Sequence, residues 1–255
     1  MELRSLRRDR AARQGAELFL LERTFADCLD RLSLVRRRFG QALLLGCPDP
    51  DWPGRLSDFA AQVEVRDPGR LFAEAAGGAT IVEDDWRPAP AAYDLILAIG
   101  TLDTVSDLPG ALVALRRSMR PDGLFLGAMA GGDSLPQLRG AMRAADVISG
   151  NAVPHVHPRI EASALSPLLA KAGFHNPVVD IDRASVAYRL LPDLIADLRR
   201  MGATNVLAAR SRKSLSKAEY ALAATVFAEA GDGERTTETV EILHFACWTP
   251  SSETD

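Results

Sequence analysis

The sequence predicts an α/β fold in which a mostly parallel sheet carries helices on both faces. Short apolar runs typical of strands buried on both faces recur along the chain, most clearly at Tyr93–Ile99. Segments with apolar residues at helical spacing separate these runs, so that strand and helix alternate as in βαβ units. A chain of 255 residues suits one such domain with a helical elaboration.

The apolar runs divide the chain into strands. We predict strands at 42–45, 62–65, 79–82, 93–99, 124–129, 178–181 and 240–248. Helices are expected between them, with prolines in the first turns at Pro53, Pro109, Pro136 and Pro192. Ser134 with Gln137, and Ser216 with Glu219, have the spacing of a capping box.

The first part of the chain is predicted to form a helical segment, 1–40, that packs on a core domain, 41–250. Leu18 to Phe39 supply an apolar face at helical spacing, and Gly40 should end that helix. Two helical elaborations of the core domain are expected, at about 131–173 and 192–230.

Composition excludes several classes of partner and compartment. The net charge of −4 is too small to indicate nucleic acid or an anionic membrane. No apolar stretch approaches the ~20 residues of a membrane span. The three cysteines are far apart, which argues against a disulfide framework and favours the cytoplasm. The Arg-rich N-terminus lacks the apolar stretch of a secretory signal, and Glu2 and Asp9 argue against a mitochondrial transit peptide.

Six segments follow one another in an informative order. They read DLPGAL (107–112), RPDGLFLGAM (120–129), GGDSLPQLR (131–139), PHVHP (154–158), LLAKAGF (168–174) and DLIADLRRMGATN (193–205). Over nearly the whole chain, this series resembles the respiratory complex I assembly factor family of methyltransferase fold. The first two segments are shared by many methyltransferases, whereas GGDSLPQLR, the PHxxP pattern and the last segment are more specific.

The resemblance implies a class I SAM-methyltransferase (Rossmann-like) fold, with a seven-stranded sheet whose last strand is antiparallel. It implies S-adenosylmethionine (SAM) as cofactor. It also implies a complex I subunit as protein partner, because the mitochondrial member is described as hydroxylating an arginine of such a subunit. Ligands of such folds bind beyond the carboxyl ends of the strands. The cofactor-binding candidates at those ends are Gly46, Cys47, Asp67, Glu83, Asp84 and Gly100.

Three of these acids carry competing interpretations. Asp67 matches the carboxylate that takes both ribose hydroxyls, but Asp67-Pro68-Gly69 is also a good turn sequence. Glu83 and Asp84 match the acidic position on the adenine side, or are simply solvated in a loop.

The first loop departs from the family pattern, D-x-G-C-G-x-G. Leu44 replaces the acid that anchors the methionine ammonium, and Pro48 and Pro50 replace the second and third glycines. Proline has no N–H to donate and fixes φ near −65°. Two or three lost charged hydrogen bonds, at about 1.5–3 kcal/mol each, would lower SAM affinity about 10²–10⁴-fold. We therefore predict weak or absent SAM binding, although Asp49 or Asp51 could replace the missing charge.

The substrate-side candidates are Asp103, Asp133, Arg139 and His155. Asp103 stands where the family usually begins a histidine–tryptophan pair, so an aromatic wall is missing. Asp133 precedes a helix N-terminus, where it could favour an anion site or simply cap the helix. Arg139 is expected to point away from that cap. His155 and His157 have a spacing that could ligate a metal, but the family keeps only the first, so no metal site is predicted.

Three functions remain open. The chain is a cytoplasmic bacterial relative of the assembly factor that acts on or binds a protein subunit, an active SAM-dependent methyltransferase with an atypical first loop, or a non-catalytic scaffold. Malonyl-carrier-protein methyltransferases share the fold, but the GGDSLPQLR segment fits them poorly.

Overall fold

The computed structural model describes residues 3–150 and 152–251. The first two residues of the predicted segment 1–40, residue 151 of the elaboration 131–173, and the end of the tail therefore lie outside the described residues. Seven strands form one sheet: β1 Phe39–Leu45, β2 Ala60–Asp67, β3 Ala79–Thr80, β4 Tyr93–Ile99, β5 Met119–Ala130, β6 His175–Tyr188 and β7 Thr236–Trp248. Their order across the sheet is β3-β2-β1-β4-β5-β7-β6.

The last strand gives the sheet its mixed character. Strand β7 pairs antiparallel with β5 on one side and with β6 on the other. The pairs of β1 with β2 and β4, of β2 with β3, and of β4 with β5 are all parallel. The predicted class I SAM-methyltransferase (Rossmann-like) sheet with an antiparallel last strand is confirmed.

Helices cover both faces of the sheet. They are α1 Leu3–Arg13, α2 Phe19–Leu34, α3 Trp52–Leu56, α4 Arg70–Ala75, α5 Leu108–Ser118, α6 Pro136–Ser149, α7 Ala162–Lys171, α8 Leu191–Arg200 and α9 Lys217–Glu229. A short 3₁₀ turn, Leu102–Thr104, follows β4. Among the described residues, no helix is both long and apolar enough to cross a membrane.

Strand β1 explains why the central runs are apolar throughout. Leu43 and Leu45 belong to the core cluster formed with α5 and α7. Ala42 and Leu44 belong to the cluster formed with α2 and α3, where Phe25 stacks on an indole ring with centroids 4.3 Å apart. Side chains alternate between the two faces, and both faces are covered, so neither set is polar. A third cluster joins α6, α8 and α9 to the extended ends of β6 and β7.

The prediction that the first long helix ends at Gly40 was wrong. Helix α2 ends at Leu34, and Phe39 and Gly40 already belong to β1. The N–H of Phe39 donates to the carbonyl of Phe59 at 2.8 Å, and the N–H of Gly40 donates to the Asp94 carboxylate at 2.7 Å. These long-range bonds outweigh the local helical periodicity.

The predicted capping box at Ser134 is also wrong, whereas the one at Ser216 and Glu219 is present. Helix α6 begins after Leu135, which has a left-handed φ of 61°. The Ser134 hydroxyl instead bonds backbone groups of Glu241 in β7. The free N–H groups at the start of α6 donate to the carboxylate of Glu238, also in β7. The helix is therefore capped by a residue about a hundred positions away.

Candidate functional site

Gly46 closes a tight turn at the carboxyl end of β1. Its φ is +88°, and a Cβ atom there would lie 2.3 Å from the carbonyl oxygen of Ile99 in β4. Only glycine fits such a backbone without strain. The N–H of Gly46 donates to the carbonyl of Arg66, and the next N–H, of Cys47, donates to the Asp67 carboxylate at 2.7 Å.

Asp67 ends β2 and is fully buried. Besides the Cys47 N–H, its carboxylate accepts the N–H of Gly69 at 2.6 Å. It also accepts two hydrogen bonds from the Arg8 guanidinium, at 2.7 Å from Nε and 2.5 Å from Nη2. Both oxygens of Asp67 are therefore occupied by the protein itself. The Gly69 bond is the turn that Asp67-Pro68-Gly69 predicts, so the turn interpretation is realised at the same residue.

Arg8 comes from α1, 59 residues before Asp67 in the chain. It is 3% exposed, and its guanidinium lies 5.1 Å from the centre of the Phe72 ring. Burial works against its charge, but Asp67 outweighs burial and raises the pKa of Arg8. Gly69 is needed for this approach, because a Cβ there would lie 2.7 Å from Cβ of Arg8.

A second arginine of α1, Arg4, pairs with Glu83, which the resemblance predicts on the adenine side. Nε of Arg4 lies 2.8 Å from Oε2 of Glu83, and its Nη2 donates to the carbonyl of Gly100 at 3.0 Å. Burial raises the pKa of Glu83 to about 7, and Arg4 and Arg8 offset burial only in part. Glu83 is thus not solvated in a loop, and near neutral pH it is poised between charged and neutral forms.

Asp84 faces a different way from Glu83. Its two carboxylate oxygens accept the N–H and the hydroxyl of Ser106, both at 2.8 Å. This holds the loop after the 3₁₀ turn against the loop after β3. On the side of Ile81 and Trp86, Glu83 borders a cavity of about 20 Å³, which is room for about one water molecule. A larger cavity, of about 440 Å³, is lined by Glu83 and Asp84 together.

The hydrogen-bonding groups at these strand ends are largely engaged within the protein. Asp67 has no lone pair facing an open space, and Leu44 is packed in the apolar core, so β1 presents no carboxylate. The thiol of Cys47 is buried and donates to the carbonyl of Asp49 at 3.2 Å. Burial raises the pKa of that thiol, so it is neither a nucleophile nor a source of negative charge at neutral pH.

The four substrate-side candidates do not come together. The side chain of Asp103 is 11% exposed and pairs with Arg159. Although burial opposes its charge, Arg159 and Arg4 outweigh burial and hold the pKa of Asp103 below its usual range. Asp133 is exposed, 3.7 Å from Nη2 of Arg183. The four thus divide among three places.

Arg139 and His155 line one shallow groove away from the strand ends. Contrary to the prediction, Arg139 turns back toward the start of α6 and donates to the carbonyl of Ser134 at 2.9 Å. Nε2 of His155 lies 2.7 Å from a carboxylate oxygen of Asp146. His157 is buried separately and its Nδ1 contacts the carbonyl of Pro158. In the described part of the chain, no three His, Cys, Asp or Glu side chains are grouped as metal ligands.

Three arginines that are not among the predicted site residues meet at the strand ends: Arg4, Arg8 and Arg159. A signal was available for two of them. Arg4 and Arg8 are four residues apart and so share one face of a helix, and that face is charged where an apolar face would be expected. Nothing in the sequence pairs Arg159 with Asp103.

Comparison with known proteins places this geometry in a family. A family model described as "Methyltransferase domain" matches residues 18–178. The mitochondrial arginine-hydroxylase NDUFAF5 of Danio rerio is 30% identical over 244 residues, covering 91% of this chain and 75% of that protein. The chain belongs to the NDUFAF5 family of methyltransferase-domain proteins. A malonyl-[acyl-carrier protein] O-methyltransferase of Xylella fastidiosa is 32% identical over a shorter stretch, 65% of this chain.

Solved structures share the fold of this NDUFAF5 relative. The YcgJ protein of Bacillus subtilis superposes with a TM-score of 0.60 at 11% identity, covering 89% of this chain and 99% of that chain. A phosphoethanolamine N-methyltransferase of Haemonchus contortus, in complex with S-adenosylhomocysteine (SAH), gives a TM-score of 0.55 at 12% identity over 89% of this chain and 53% of that chain. At such identities the likeness establishes the fold alone.

Proposed function

We propose that this chain serves in the assembly of respiratory complex I by acting on or binding a protein subunit, and that it does so without SAM as a methyl donor. The observation that carries the second part is the Arg8 guanidinium on Asp67. In the fold family that carboxylate takes the ribose, and here the chain's own arginine holds it. The relationship to NDUFAF5 supports the first part.

The free energies favour Arg8, not SAM, as the partner of Asp67. SAM could reach Asp67 only by displacing Arg8, and breaking a buried ion pair by removing one partner costs about 3–5 kcal/mol. That corresponds to a further loss of about 10²–10³-fold or more in affinity, on top of the contacts that Leu44, Pro48 and Pro50 cannot make.

The cytoplasm is the proposed compartment. Cys28, Cys47 and Cys247 are all buried as free thiols in the described structure. Three unpaired thiols are typical of a reducing environment.

Isothermal titration with SAM and with SAH tests the cofactor part. We expect no saturable heat at micromolar ligand, because the Asp67 and Glu83 carboxylates already carry guanidinium partners. The same titration on a SAM-binding methyltransferase of this fold is the control. Micromolar binding of either nucleoside would overturn this part of the proposal.

Co-expression with the candidate complex I subunit tests the other part. Stable co-purification, with or without an added oxygen mass on a subunit arginine in mass spectrometry, is the expected result. The added oxygen indicates an active hydroxylase, and its absence indicates a scaffold. Failure to co-purify, with no mass change on any subunit, would contradict an assembly role.

An active methyltransferase is the second candidate. It is favoured by Gly46, whose positive φ and close approach to Ile99 preserve the tight turn of a cofactor loop, and by the Cys47 N–H that still points at Asp67. The SAM titration separates it from the first candidate.

A further inference from the structure

A cavity of about 110 Å³ lies beside the Arg4–Glu83 pair, between α1, α2, the carboxyl ends of β4 and β5, and the segment after α8. Most of its wall is apolar, formed by side chains that include Leu20, Leu21, Met129, Leu135, Met201 and Val206. Its charged lining is Arg4, Arg8, Arg159 and Asp103. The cavity wall is thus apolar over most of its area and positively charged where it meets α1.

The three arginines differ in how fully their charges are balanced. Arg8 has Asp67 in a two-bond pair, and Arg159 has Asp103. Arg4 pairs with Glu83, which is about half neutral near pH 7 because burial raises its pKa to about 7, and it shares the charge of Asp103 with Arg159. Near pH 7 the three guanidinium groups therefore face fewer than three full negative charges.

Unmet hydrogen bonds cluster at the same wall. Arg4 is 6% exposed, and its Nη1 has no hydrogen-bond partner. The hydroxyl of Thr104 and Nε of Arg159, on two other residues that line the cavity, also lack partners among the described residues. Buried polar groups without partners are costly and uncommon in native proteins. Their grouping around one cavity indicates a missing polar ligand.

We propose that this cavity binds a small carboxylate with an apolar body, with the carboxylate against Arg4 and the body along the leucine and methionine walls. A carboxylate supplies both the missing counter-charge and acceptors for guanidinium N–H groups, which charge-assisted pairing favours. Apolar cavities of this order of size hold ligands as large as benzene, so the whole ligand should have about six carbons. The inference does not depend on methyl transfer, and it holds whether or not the chain acts in complex I assembly.

Binding should be linked to a proton. Glu83 is surrounded by Arg4, Arg8, Asp67 and Asp103, so a ligand anion at Arg4 would compete with the ionised form of Glu83. The bound state keeps Glu83 neutral. With the pKa of Glu83 near 7, affinity for the anion should be about tenfold weaker at pH 8 than at pH 6.

The test is a titration of the full chain with hexanoate at pH 6 and at pH 8, monitored by isothermal calorimetry or NMR. Hexanol serves as the uncharged probe. We expect saturable hexanoate binding with a Kd of about 1 mM or lower, the tenfold pH effect, and much weaker binding of hexanol. Hexanoate binding that is linear in concentration, or equal for the two probes, would overturn the inference.

Variants locate the site. Arg4→Gln should weaken hexanoate about tenfold or more, whereas Arg10→Gln, on the exposed face of the same helix, should leave it unchanged. Should Arg4→Gln unfold, Ala203→Phe fills the cavity from its loop and should abolish binding while Arg4 stays in place. Unchanged binding in either folded variant would contradict the placement.

A competition experiment with SAH completes the test. Competition between SAH and hexanoate would assign the cavity to the methionine end of a nucleoside and overturn the carboxylate inference. Failure of hexanoate to bind, with SAH also silent, overturns only the cavity inference and leaves the proposed function standing.

Discussion

At the level of single residues, the titration of Glu83 is the feature with the widest consequences. The residue is 9% exposed, and one of its carboxylate oxygens has no hydrogen-bond partner in the described structure. Burial therefore dominates over the attraction of Arg4 and raises the pKa from 4.5 to about 7. Between about pH 4.5 and 7, Glu83 therefore keeps its proton in the folded protein and loses it in the unfolded chain.

The stability of the protein should therefore depend on pH through Glu83. Because the folded pKa is raised, the folded chain binds more protons than the unfolded chain between about pH 4.5 and 7. This contribution to stability is fully present below pH 4.5 and is lost as pH rises through 7. Relative to Glu83→Gln, the parent should lose roughly 2–3 kcal/mol of unfolding free energy between pH 5 and pH 8.

Urea unfolding of parent and variant across that pH range measures the difference directly. Because His157 and His244 titrate in both proteins, their contributions cancel in the comparison. Parallel pH profiles for the two proteins would mean that Glu83 is charged in the folded state throughout.

At the level of elements, α1 is attached to the domain by charge and barely by apolar contact. Of its four buried residues, Arg4, Arg8 and Asp9 are charged, and Ala11 alone is apolar. Asp9 accepts the N–H of Leu71 and so serves the first turn of α4. Buried ion pairs contribute little net stability, but they are costly to break on one side. Helix α1 is thus specified by its partners more than by its own sequence.

Replacing Arg8 tests this attachment. Arg8→Met leaves the buried Asp67 carboxylate without its cation and should cost about 3–5 kcal/mol of unfolding free energy. The matched control Arg10→Met, exposed on the same helix, should change stability by less than about 0.5 kcal/mol.

A double variant separates the charge from the packing. If the cost comes from an unpaired carboxylate, Arg8→Met with Asp67→Asn should be more stable than Arg8→Met alone, which a denaturation cycle over the four proteins reports. A cost for Arg8→Met below about 1 kcal/mol would indicate that α1 leaves the strand ends open in solution.

At the level of the whole molecule, β7 ties the elaboration to the sheet. Glu238 is fully buried in β7 and caps α6 through the N–H groups of Gln137 at 3.2 Å and Leu138 at 2.9 Å. Burial raises the pKa of Glu238, although these N–H groups favour its charge. The cap joins parts of the chain about a hundred residues apart.

Removing this cap should destabilise the whole domain. Glu238→Ala leaves two helix N–H groups without their acceptor. It should lower the unfolding free energy by about 2–4 kcal/mol, which corresponds to one to two lost cap hydrogen bonds. Glu234→Ala, an exposed position in the preceding turn, is the control and should be near neutral. A thermal melt of both variants is sufficient, and equal melting temperatures would show that α6 is capped otherwise in solution.

Local signals in the sequence were enough for the sheet and for its binding edge. Seven apolar runs at βαβ spacing predict the strands, and Tyr93–Ile99 is predicted to the residue. Gly46 and Asp67 could be placed at the strand ends because parallel strands deliver their carboxyl ends to one edge. The sequence also shows Leu44 at the position where the family pattern has an acid.

Only the tertiary structure determines which residues occupy the carboxyl ends of the strands. The partners of Asp67 and Glu83 come from a helix about sixty to eighty residues earlier in the chain, and the cap of α6 comes from β7. Helical spacing tells which residues of α1 share a face, but not which surface that face meets. Ion pairs and helix caps between distant segments depend on how the elements pack. The periodicity of apolar residues along the sequence does not predict that packing.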